Sequence, residues 1–267
     1  MSLQTPILMY HEVTDYPEKL KSTKKIDPEY SLPTQKFEEQ IAYLYTKGYN
    51  ILSIDDVARP QTMNSKTCAI TFDDGYIGNF NYAYPVLRKY GYSATFFIST
   101  KYISLLERLM NWDQLRELAS RGFSIQSHTV THPALEELQD KDILYELSES
   151  KKKIQDEIGK EVKYLSLPFG SYKRNVTRIA QEVGYAGVLT SFPFSRNWDL
   201  KPVLIGRIPI KASYDIHRFQ SLIKNQRALF YRMKIGYFIK RAMKKGIGIS
   251  NYRRIYRFAK NVEALSE

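Results

Sequence analysis

The 267-residue sequence predicts an α/β fold in which about seven parallel strands form a (β/α) barrel, followed by a basic helical C-terminal tail. Three observations predict this class. Short β-branched or aromatic runs alternate with helical patterns, as in parallel sheets whose strands are joined by helices. The order of helix, glycine and strand occurs five times, and basic residues concentrate near the C-terminus. A doubly wound open sheet is the alternative that the same rhythm allows.

Seven segments are predicted as strands because they are short and rich in β-branched or aromatic residues. They are ILMYH (7–11), TCAITF (67–72), ATFFIS (94–99), FSIQS (123–127), VKYLSL (162–167), GVLTS (187–191) and VLIGRIPI (203–210). Helices are predicted between them, each followed by a glycine of the kind that ends helices. They span 34–47, 82–90, 112–121, 140–158 and 175–183, before Gly48, Gly91, Gly122, Gly159 and Gly184.

The composition excludes several classes of protein. The chain has 13 Phe and 21 Tyr, too many aromatic residues for a disordered protein. Its one cysteine, Cys68, excludes a disulfide scaffold and is expected to be a buried small hydrophobe. No run of about 18 apolar residues suggests a transmembrane helix. The opening MSLQTPILMYHEV lacks the pattern of a secretory signal, so a cytoplasmic location is expected if the chain is complete.

Most of the net positive charge lies near the C-terminus. Residues 221–267 contain 12 Lys or Arg and two Glu, a net charge of +10 out of +12 for the whole chain. The nearly neutral remainder does not have the charge of a nucleic-acid-binding domain. We therefore predict a barrel domain over 1–217 and a basic amphipathic tail over 218–267.

The tail has three interpretations. Apolar residues at helical spacing run through 219–262, with Lys and Arg largely off that stripe. A basic amphipathic helix of this kind is typical of a segment that binds anionic membrane surfaces. The stripe could instead pack on the barrel and expose its charges. A nucleic-acid-binding tail is disfavoured because no nucleic-acid motif accompanies it.

Chemically reactive residues follow several predicted strands. Asp73 and Asp74 follow 67–72, His128 and His132 follow 123–127, and His11 ends the first strand. The carboxyl ends of parallel strands and the loops after them carry the active sites of α/β barrels. We expect these side chains to meet at one end of the barrel.

Two histidines four residues apart, with a carboxylate from another strand, can form a two-His, one-carboxylate metal site. Such a set suits Zn, and also Co, Ni or Fe. Of the adjacent Asp73 and Asp74, one can bind the metal and the other can act as a base in metal-assisted hydrolysis. Taken alone, the histidine pair could be structural and the Asp-Asp-Gly a turn.

The motifs TFDDGY (71–76), SHTVTHP (127–133) and LPFGSY (167–172) resemble the first three motifs of the polysaccharide deacetylase family, the NodB-homology or carbohydrate esterase family four group. The resemblance covers most of 5–217. It implies a distorted (β/α) barrel that removes an N- or O-acyl group, usually acetyl, from a carbohydrate by hydrolysis.

The resemblance also implies a role for individual residues. Asp74, His128 and His132 match the metal ligands of the family. Asp73 matches the general base that deprotonates a metal-bound water. The backbone N–H of Phe169 matches the donor that stabilises the oxyanion, so the Phe169 side chain would be a wall of the site.

Two features depart from the family pattern. Ser166 occupies the position of an arginine that orients the base in many members, and the late Leu-x-Leu-His motif is absent. The opening MYH (9–11) resembles a circularly permuted branch in which this strand supplies the late histidine. His11 is then either the general acid for the leaving amine or a core histidine. Arg207 either replaces the missing arginine or pairs with a surface acid.

Three aromatic residues are predicted to bind substrate. Tyr76 and Tyr172 flank motifs, and Trp198 lies in a loop between the last two strands. The predicted function is metal-dependent removal of an acyl group, acetyl above all, from an amino-sugar-containing saccharide, such as a lipid-linked or nascent glycan at the inner membrane face. The alternatives are an inactive carbohydrate-binding barrel and an interaction protein acting through its tail.

Overall fold

The computed structural model describes residues 5–16, 27–58, 66–170, 173–192, 196–197 and 202–224, and the helical positions 235–236, 239, 242–243 and 246. The chain divides into two compact units, Met1–Ile223 and Lys224–Glu267. Every described strand belongs to the first unit. In the part of the chain described here, no helix is both long enough and apolar enough to cross a membrane.

The main sheet is built from short, buried, mostly parallel strands. Its strands are β1 (Ile7–Tyr10), β5 (Thr67–Phe72), β6 (Thr95–Ile98), β7 (Ser124–Ser127), β8 (Tyr164–Ser166), β9 (Gly187–Thr190), β10 (Arg196–Asn197), β11 (Val203–Gly206) and β12 (Ile208–Pro209). The short β4 (Asn50–Ile51) adds to β5, and β2 (Glu12–Thr14) pairs with β3 (Ser31–Pro33) in a separate two-stranded sheet. Only β10 pairs antiparallel among these described strands.

The sheet order, β10-β11-β9-β8-β7-β6-β5-β1-β12, brings both ends of the sheet together. β11 pairs with β9, and β12 pairs with β1 in the register Leu8 to Ile208. Because β11 and β12 are separated by Arg207 alone, one bent strand closes the sheet into a nearly complete barrel. The prediction of a barrel of about seven parallel strands is confirmed, and the open-sheet alternative is wrong.

The helices surround the strands in the predicted order. They are α1 (Thr34–Thr46), α2 (Ile54–Val57), α3 (Tyr84–Lys89), α4 (Trp112–Ser120), α5 (Asp140–Ile158), α6 (Arg174–Glu182) and α7 (Ile216–Lys224). All five glycines predicted to end helices have positive φ, between 68° and 89°. Each of these five helices is therefore followed by a residue with left-handed backbone conformation. Glycine adopts this conformation readily, whereas other residues disfavour it.

One helix begins differently from the prediction. The segment predicted as a helix from residue 82 starts with a π-helical turn, Asn79–Ala83, before α3. Pro85 lies in the first turn of α3, where the missing N–H of proline costs little. The α-helical spacing therefore begins only after the π-helical turn.

The core contains stacked aromatic rings between the barrel and α1. Phe72 stacks on Phe96 with centroids 4.9 Å apart, and Tyr10 stacks on Phe72 at 5.4 Å. Phe37 of α1 packs edge-on against Tyr10 at 5.2 Å. Burying a side chain of this size contributes roughly 1.5–3 kcal/mol. These contacts fix β1 and β5 side by side, with the chemically reactive ends of both strands adjacent.

Helix α7 belongs to the packed core. Phe219, Leu222 and Ile223 are buried, and the Phe219 ring lies edge-on to Tyr43 at 6.2 Å. The first residues of the apolar stripe predicted over 219–262 therefore pack within the first unit.

Candidate active site

The predicted site residues meet where the barrel strands end. Asp73 and Asp74 follow β5, and His128 and His132 lie in the loop after β7. Arg207 reaches the same place from the bend between β11 and β12. Carboxyl ends of parallel strands share one rim of a barrel, so distant parts of the sequence are brought into contact.

Asp74, His128 and His132 form a cluster that could hold a metal ion. Their ligand atoms all lie within 4.8 Å of one another. The Nε2 atoms of His128 and His132 each lie 3.4 Å from Asp74 Oδ1. Two imidazoles and one carboxylate are a donor set that suits Zn²⁺. The residue types and their convergence thus fit a divalent ion.

A backbone carbonyl orients one of these imidazoles. His128 Nδ1 donates a hydrogen bond of 2.8 Å to the Ser166 carbonyl oxygen. This bond sets the neutral tautomer that carries its lone pair on Nε2, the atom facing Asp74. Metal-binding histidines almost always have such a partner for the second ring nitrogen.

Local electrostatics favour the ligating forms of two of the three residues. Burial, followed by the charge of His128, lowers the pKa of His132 to about 4. Burial alone would raise the pKa of Asp74, but a hydrogen bond with His128 and the neighbouring histidine charges lower it below its ordinary value. Burial also opposes the charge on His128, but Asp73 and Asp74 outweigh it and raise that pKa. His132 is therefore neutral and Asp74 anionic near neutral pH.

Asp73 lies beside the cluster, and Arg207 holds it in place. Arg207 Nη1 and Nη2 donate hydrogen bonds of 2.7 Å to Asp73 Oδ1 and Oδ2. Both side chains are almost completely buried. Burial alone would raise the pKa of Asp73, but the Arg207 charge and hydrogen bonds outweigh it and lower the pKa. Asp73 Oδ2 stands 4.0 Å from His128 Nε2, so this carboxylate is next to the cluster that could hold a metal ion.

Ser166, the residue at which the motif resemblance leads one to expect an arginine, contacts both members of the Asp73–Arg207 pair. Its hydroxyl donates to Asp73 Oδ2 at 3.0 Å and accepts from Arg207 Nη2 at 2.7 Å. The partner of Arg207 is thus the buried base candidate and not a surface acid. The arginine that contacts Asp73 thus comes from the bend between β11 and β12, and it also contacts Ser166.

Backbone strain concentrates at this rim. Among the described residues, five non-glycine residues have φ between 57° and 73°. Four lie in the site loops: Asp74, Thr129, His132 and Phe169. Each such residue costs of order 1–3 kcal/mol and persists only when its surroundings enforce it, most often at functional sites. This signal supports the site independently of the motifs.

The turn of the third motif brings Phe169 over the cluster. Its ring centroid lies 4.9 Å from that of His132, and the side chain is 48% exposed. Gly170 has a φ of 67°, and a Cβ there would lie 1.7 Å from Ser191 Oγ. Only glycine therefore allows this turn. The ring position suits a wall of the site, and the Phe169 N–H remains a predicted oxyanion donor.

His11 lies near the charged groups of the site. Its ring centroid is 4.6 Å from that of Tyr30, and its buried Nδ1 has no hydrogen-bond partner among the described residues. Burial lowers the pKa of His11, while the charges of Asp74 and Asp73 act in the opposite direction. Both predicted roles, proton donor and packing residue, are compatible with this position.

Of the three aromatic residues predicted to bind substrate, the structure describes one. Tyr76 is half-buried beside Asp74, and burial followed by the Asp74 charge raises its pKa well above the ordinary value. Tyr172 and Trp198 lie outside the described residues.

Glu12 was not among the residues predicted for the site. This residue is 4% exposed, and burial raises the pKa of its carboxyl group to about 8. A Cβ on Gly78 would lie 2.0 Å from Glu12 Oε1, which shows how tightly the carboxyl is enclosed. In the sequence, only its position directly after His11 indicated that Glu12 would lie near the site.

The barrel and its rim of strained, charged residues define an α/β-barrel enzyme, and comparisons with known proteins identify its family. Residues 60–188 match the polysaccharide deacetylase family model. A Bacillus subtilis (strain 168) protein, YxkH, assigned by name to the polysaccharide deacetylases, is 30% identical over 83% of this chain and 77% of its own. The chitooligosaccharide deacetylase of Azorhizobium caulinodans is 26% identical over 52% of this chain and 64% of its own.

A solved structure shows the same fold. The Streptococcus pyogenes deacetylase PplD, in complex with acetate, superposes with a TM-score of 0.72 at 24% identity, covering 83% of this chain and 98% of PplD. The chain described here belongs to the polysaccharide deacetylase family. It is a carbohydrate deacetylase, as the resemblance of its motifs predicted.

Proposed function

We propose that this protein is a metal-dependent hydrolase that removes an N-acetyl group from an amino-sugar-containing saccharide. The observation that carries the proposal is the pairing of Arg207 with Asp73 directly beside the cluster of Asp74, His128 and His132. A base candidate fixed next to a ligand set is the arrangement that metal-assisted hydrolysis requires.

Asp74, His128 and His132 would hold the ion, and Zn²⁺ is the ion we propose. When bound, a divalent ion supplies Lewis acidity and lowers the pKa of a coordinated water. The Ser166 carbonyl keeps the His128 ring in the ligating orientation.

Asp73 would accept a proton from the attacking water. Arg207 and Ser166 fix its carboxylate through three hydrogen bonds of 2.7–3.0 Å, so the base needs little reorientation during the reaction. The hydroxide adds to the acyl carbon, the carbon–nitrogen bond breaks, and the nitrogen takes up a proton, giving acetate and a free amine.

Two further groups would complete the chemistry. The Phe169 N–H would donate to the acyl oxygen as negative charge develops there, a contribution of typically about 3 kcal/mol. His11 would deliver the proton to the leaving nitrogen. Its unpartnered Nδ1 and its closeness to the site charges support this role.

The proposed substrate is an amino sugar with its acetyl group at the rim of the barrel. The name of the Azorhizobium relative, a chitooligosaccharide deacetylase, supports this class. Tyr76, Tyr172 and Trp198 would contact the sugar rings.

The test is acetate release from acetylated amino-sugar oligomers. Protein treated with chelator should release none, and reloading with Zn²⁺ should restore the release. If Zn²⁺-loaded protein binds the oligomers but releases no acetate, the chain is a carbohydrate-binding barrel without activity.

We also propose that the tail attaches the enzyme to anionic membrane at the inner face of the cell membrane, where lipid-linked or nascent glycans are found. The net charge of +10 over residues 221–267 supports this. Ile235, Ile239 and Met243 are helical positions four residues apart, and each is at least 44% exposed. A spacing of four residues is the one that α-helical faces use.

The membrane proposal is tested by co-sedimentation with anionic and neutral vesicles. Wild-type protein should bind the anionic vesicles, and binding should weaken as salt rises. Replacing Ile235, Ile239 and Met243 with Gln in the full chain should reduce the bound fraction. Equal binding by both proteins would contradict a membrane-binding helix face.

A further inference from the structure

Glu146 on α5 is a buried carboxylate that no step of the proposed chemistry uses. It is 6% exposed and lies in the middle of the helix, facing the loop that carries His128 and His132. Charged side chains are almost never buried to this extent without hydrogen-bonded partners. Its partners therefore indicate what it does.

All its hydrogen bonds within the described residues go to this loop. Glu146 Oε2 accepts from the backbone N–H groups of Val130 and Thr131, at 2.8 and 2.9 Å. Glu146 Oε1 accepts from Thr131 Oγ1 at 2.5 Å. The three donors lie between the two ligating histidines. Consecutive backbone N–H groups that point to one place form an anion-binding concavity, and here a carboxylate of the chain itself fills it.

The loop needs such an anchor because its backbone is strained. Thr129 has a φ of 70° and His132 a φ of 57°, so a left-handed residue lies on each side of the anchored pair. The loop also contacts the segment after β6, where Lys101 N–H donates to the Val130 carbonyl at 3.0 Å. Glu146 holds the opposite edge of the loop. Without it, the spacing of the two imidazoles is no longer enforced from the helix side.

We propose that Glu146 is a positioning residue that sets the geometry of His128 and His132 for metal binding. This inference shares one premise with the proposed function, namely that the cluster of Asp74, His128 and His132 binds a metal ion. Residues that orient metal ligands typically contribute on the order of 10–100-fold in metal affinity. Glu146 does so through the backbone between the ligands rather than through the imidazole rings.

The experiment measures the Zn²⁺ dissociation constant of full-length variants by competition with a chelator. Glu146→Ala should weaken binding on the order of 10–100-fold. Glu146→Gln keeps a carbonyl oxygen for the two N–H groups and should fall between Glu146→Ala and wild type. Glu149→Ala is the matched control, because it removes an exposed carboxylate from the same helix. Equal affinities for Glu146→Ala and Glu149→Ala would overturn the proposal.

A second measurement covers the case in which Glu146→Ala does not fold. In metal-free wild-type protein, the amide protons of Val130 and Thr131 should exchange slowly with solvent, and Glu146→Gln should speed both. If these two amide protons exchange in the wild type as fast as those of an unstructured loop, the proposal is overturned. If wild-type protein binds no Zn²⁺, the proposed function fails, and these exchange rates alone decide whether Glu146 anchors the loop.

Discussion

The guanidinium group of Arg207 binds both carboxylate oxygens of Asp73 across 134 residues of sequence. The pair joins the strand that closes the barrel to β5, the strand that Asp73 follows. Arg207 Nη1 also donates to Thr71 Oγ1 at 3.2 Å, two residues before Asp73. One side chain therefore links barrel closure and the orientation of the Asp73 carboxylate.

Replacing Arg207 should cost both stability and activity. Arg207→Ala leaves the Asp73 charge buried without its partner, and breaking a buried pair in this way costs about 3–5 kcal/mol. Urea denaturation measures this loss. The double variant Arg207→Ala, Asp73→Asn should lose less than the sum of its single variants, because no buried charge remains. Additive losses would show that the two side chains are not energetically coupled.

Asp73→Asn should separate chemistry from metal binding. The amide has the shape of the carboxylate but cannot accept the proton, so turnover should fall on the order of 10²–10⁴-fold. Zn²⁺ affinity should stay close to that of the wild type. Asp74→Asn is the comparison, since it removes a ligand and should lose metal and activity together. A Zn²⁺-loaded Asp73→Asn protein with near-normal turnover would assign the base to another residue.

Zinc binding should release about one proton from the two imidazoles between about pH 5 and pH 6. The pKa of His132 is lowered to about 4, so this ring is already neutral there. The pKa of His128 is raised above its ordinary value, so this ring must lose its proton to bind. Calorimetry in buffers of different ionisation enthalpy counts the protons. Release of two would mean that His132 titrates as an ordinary histidine. His217→Ala, at an exposed position, is the control for histidines outside the site.

Glu12 should make the wild type less stable as the pH rises. In the unfolded chain a Glu ionises near pH 4.3, whereas burial raises the pKa of Glu12 in the folded protein to about 8. Between these values the folded state binds more protons, so stability falls with pH, by up to about 1.4 kcal/mol per pH unit. Glu12→Gln should remove this slope in urea titrations from about pH 5 to pH 8. Asp15→Asn, an exposed neighbour, should leave the slope unchanged.

Gly170→Ala should be more damaging than Gly48→Ala. Both glycines have similar φ, 67° and 69°, but a Cβ at Gly48 meets no atom within 4 Å. Gly48→Ala therefore reports the left-handed backbone cost alone, about 1–2 kcal/mol. At Gly170 the collision with Ser191 adds to this cost and displaces the Phe169 turn. Thermal melts and acetate release should both show the difference; equal melting shifts would mean that Ser191 moves aside freely.

The barrel and the convergence of the motifs could be predicted from the sequence, because strand ends and helix-ending glycines are recognisable as local sequence patterns. The sequence left two possible partners for Arg207, the base candidate and a surface acid. The bend between β11 and β12 decides between them, because it sets the direction of the Arg207 side chain. Glu146 carried no local signal at all. Its role arises from a helix packing against a loop, and hydrogen bonds to backbone N–H groups depend on tertiary structure. The left-handed conformation of Asp74 was equally invisible, because non-glycine residues adopt it only under tertiary constraint.

The bend between β11 and β12 also bears on how the enzyme is made. During synthesis from the N-terminus, the Asp73 and His128 strands leave the ribosome long before the strand that carries Arg207. Until that strand is available, Asp73 lacks its Arg207 partner and β1 lacks its neighbour β12. The proposed metal ligands are therefore all synthesised before Arg207, and Asp73 is held by Arg207 only once the last strand of the barrel has formed.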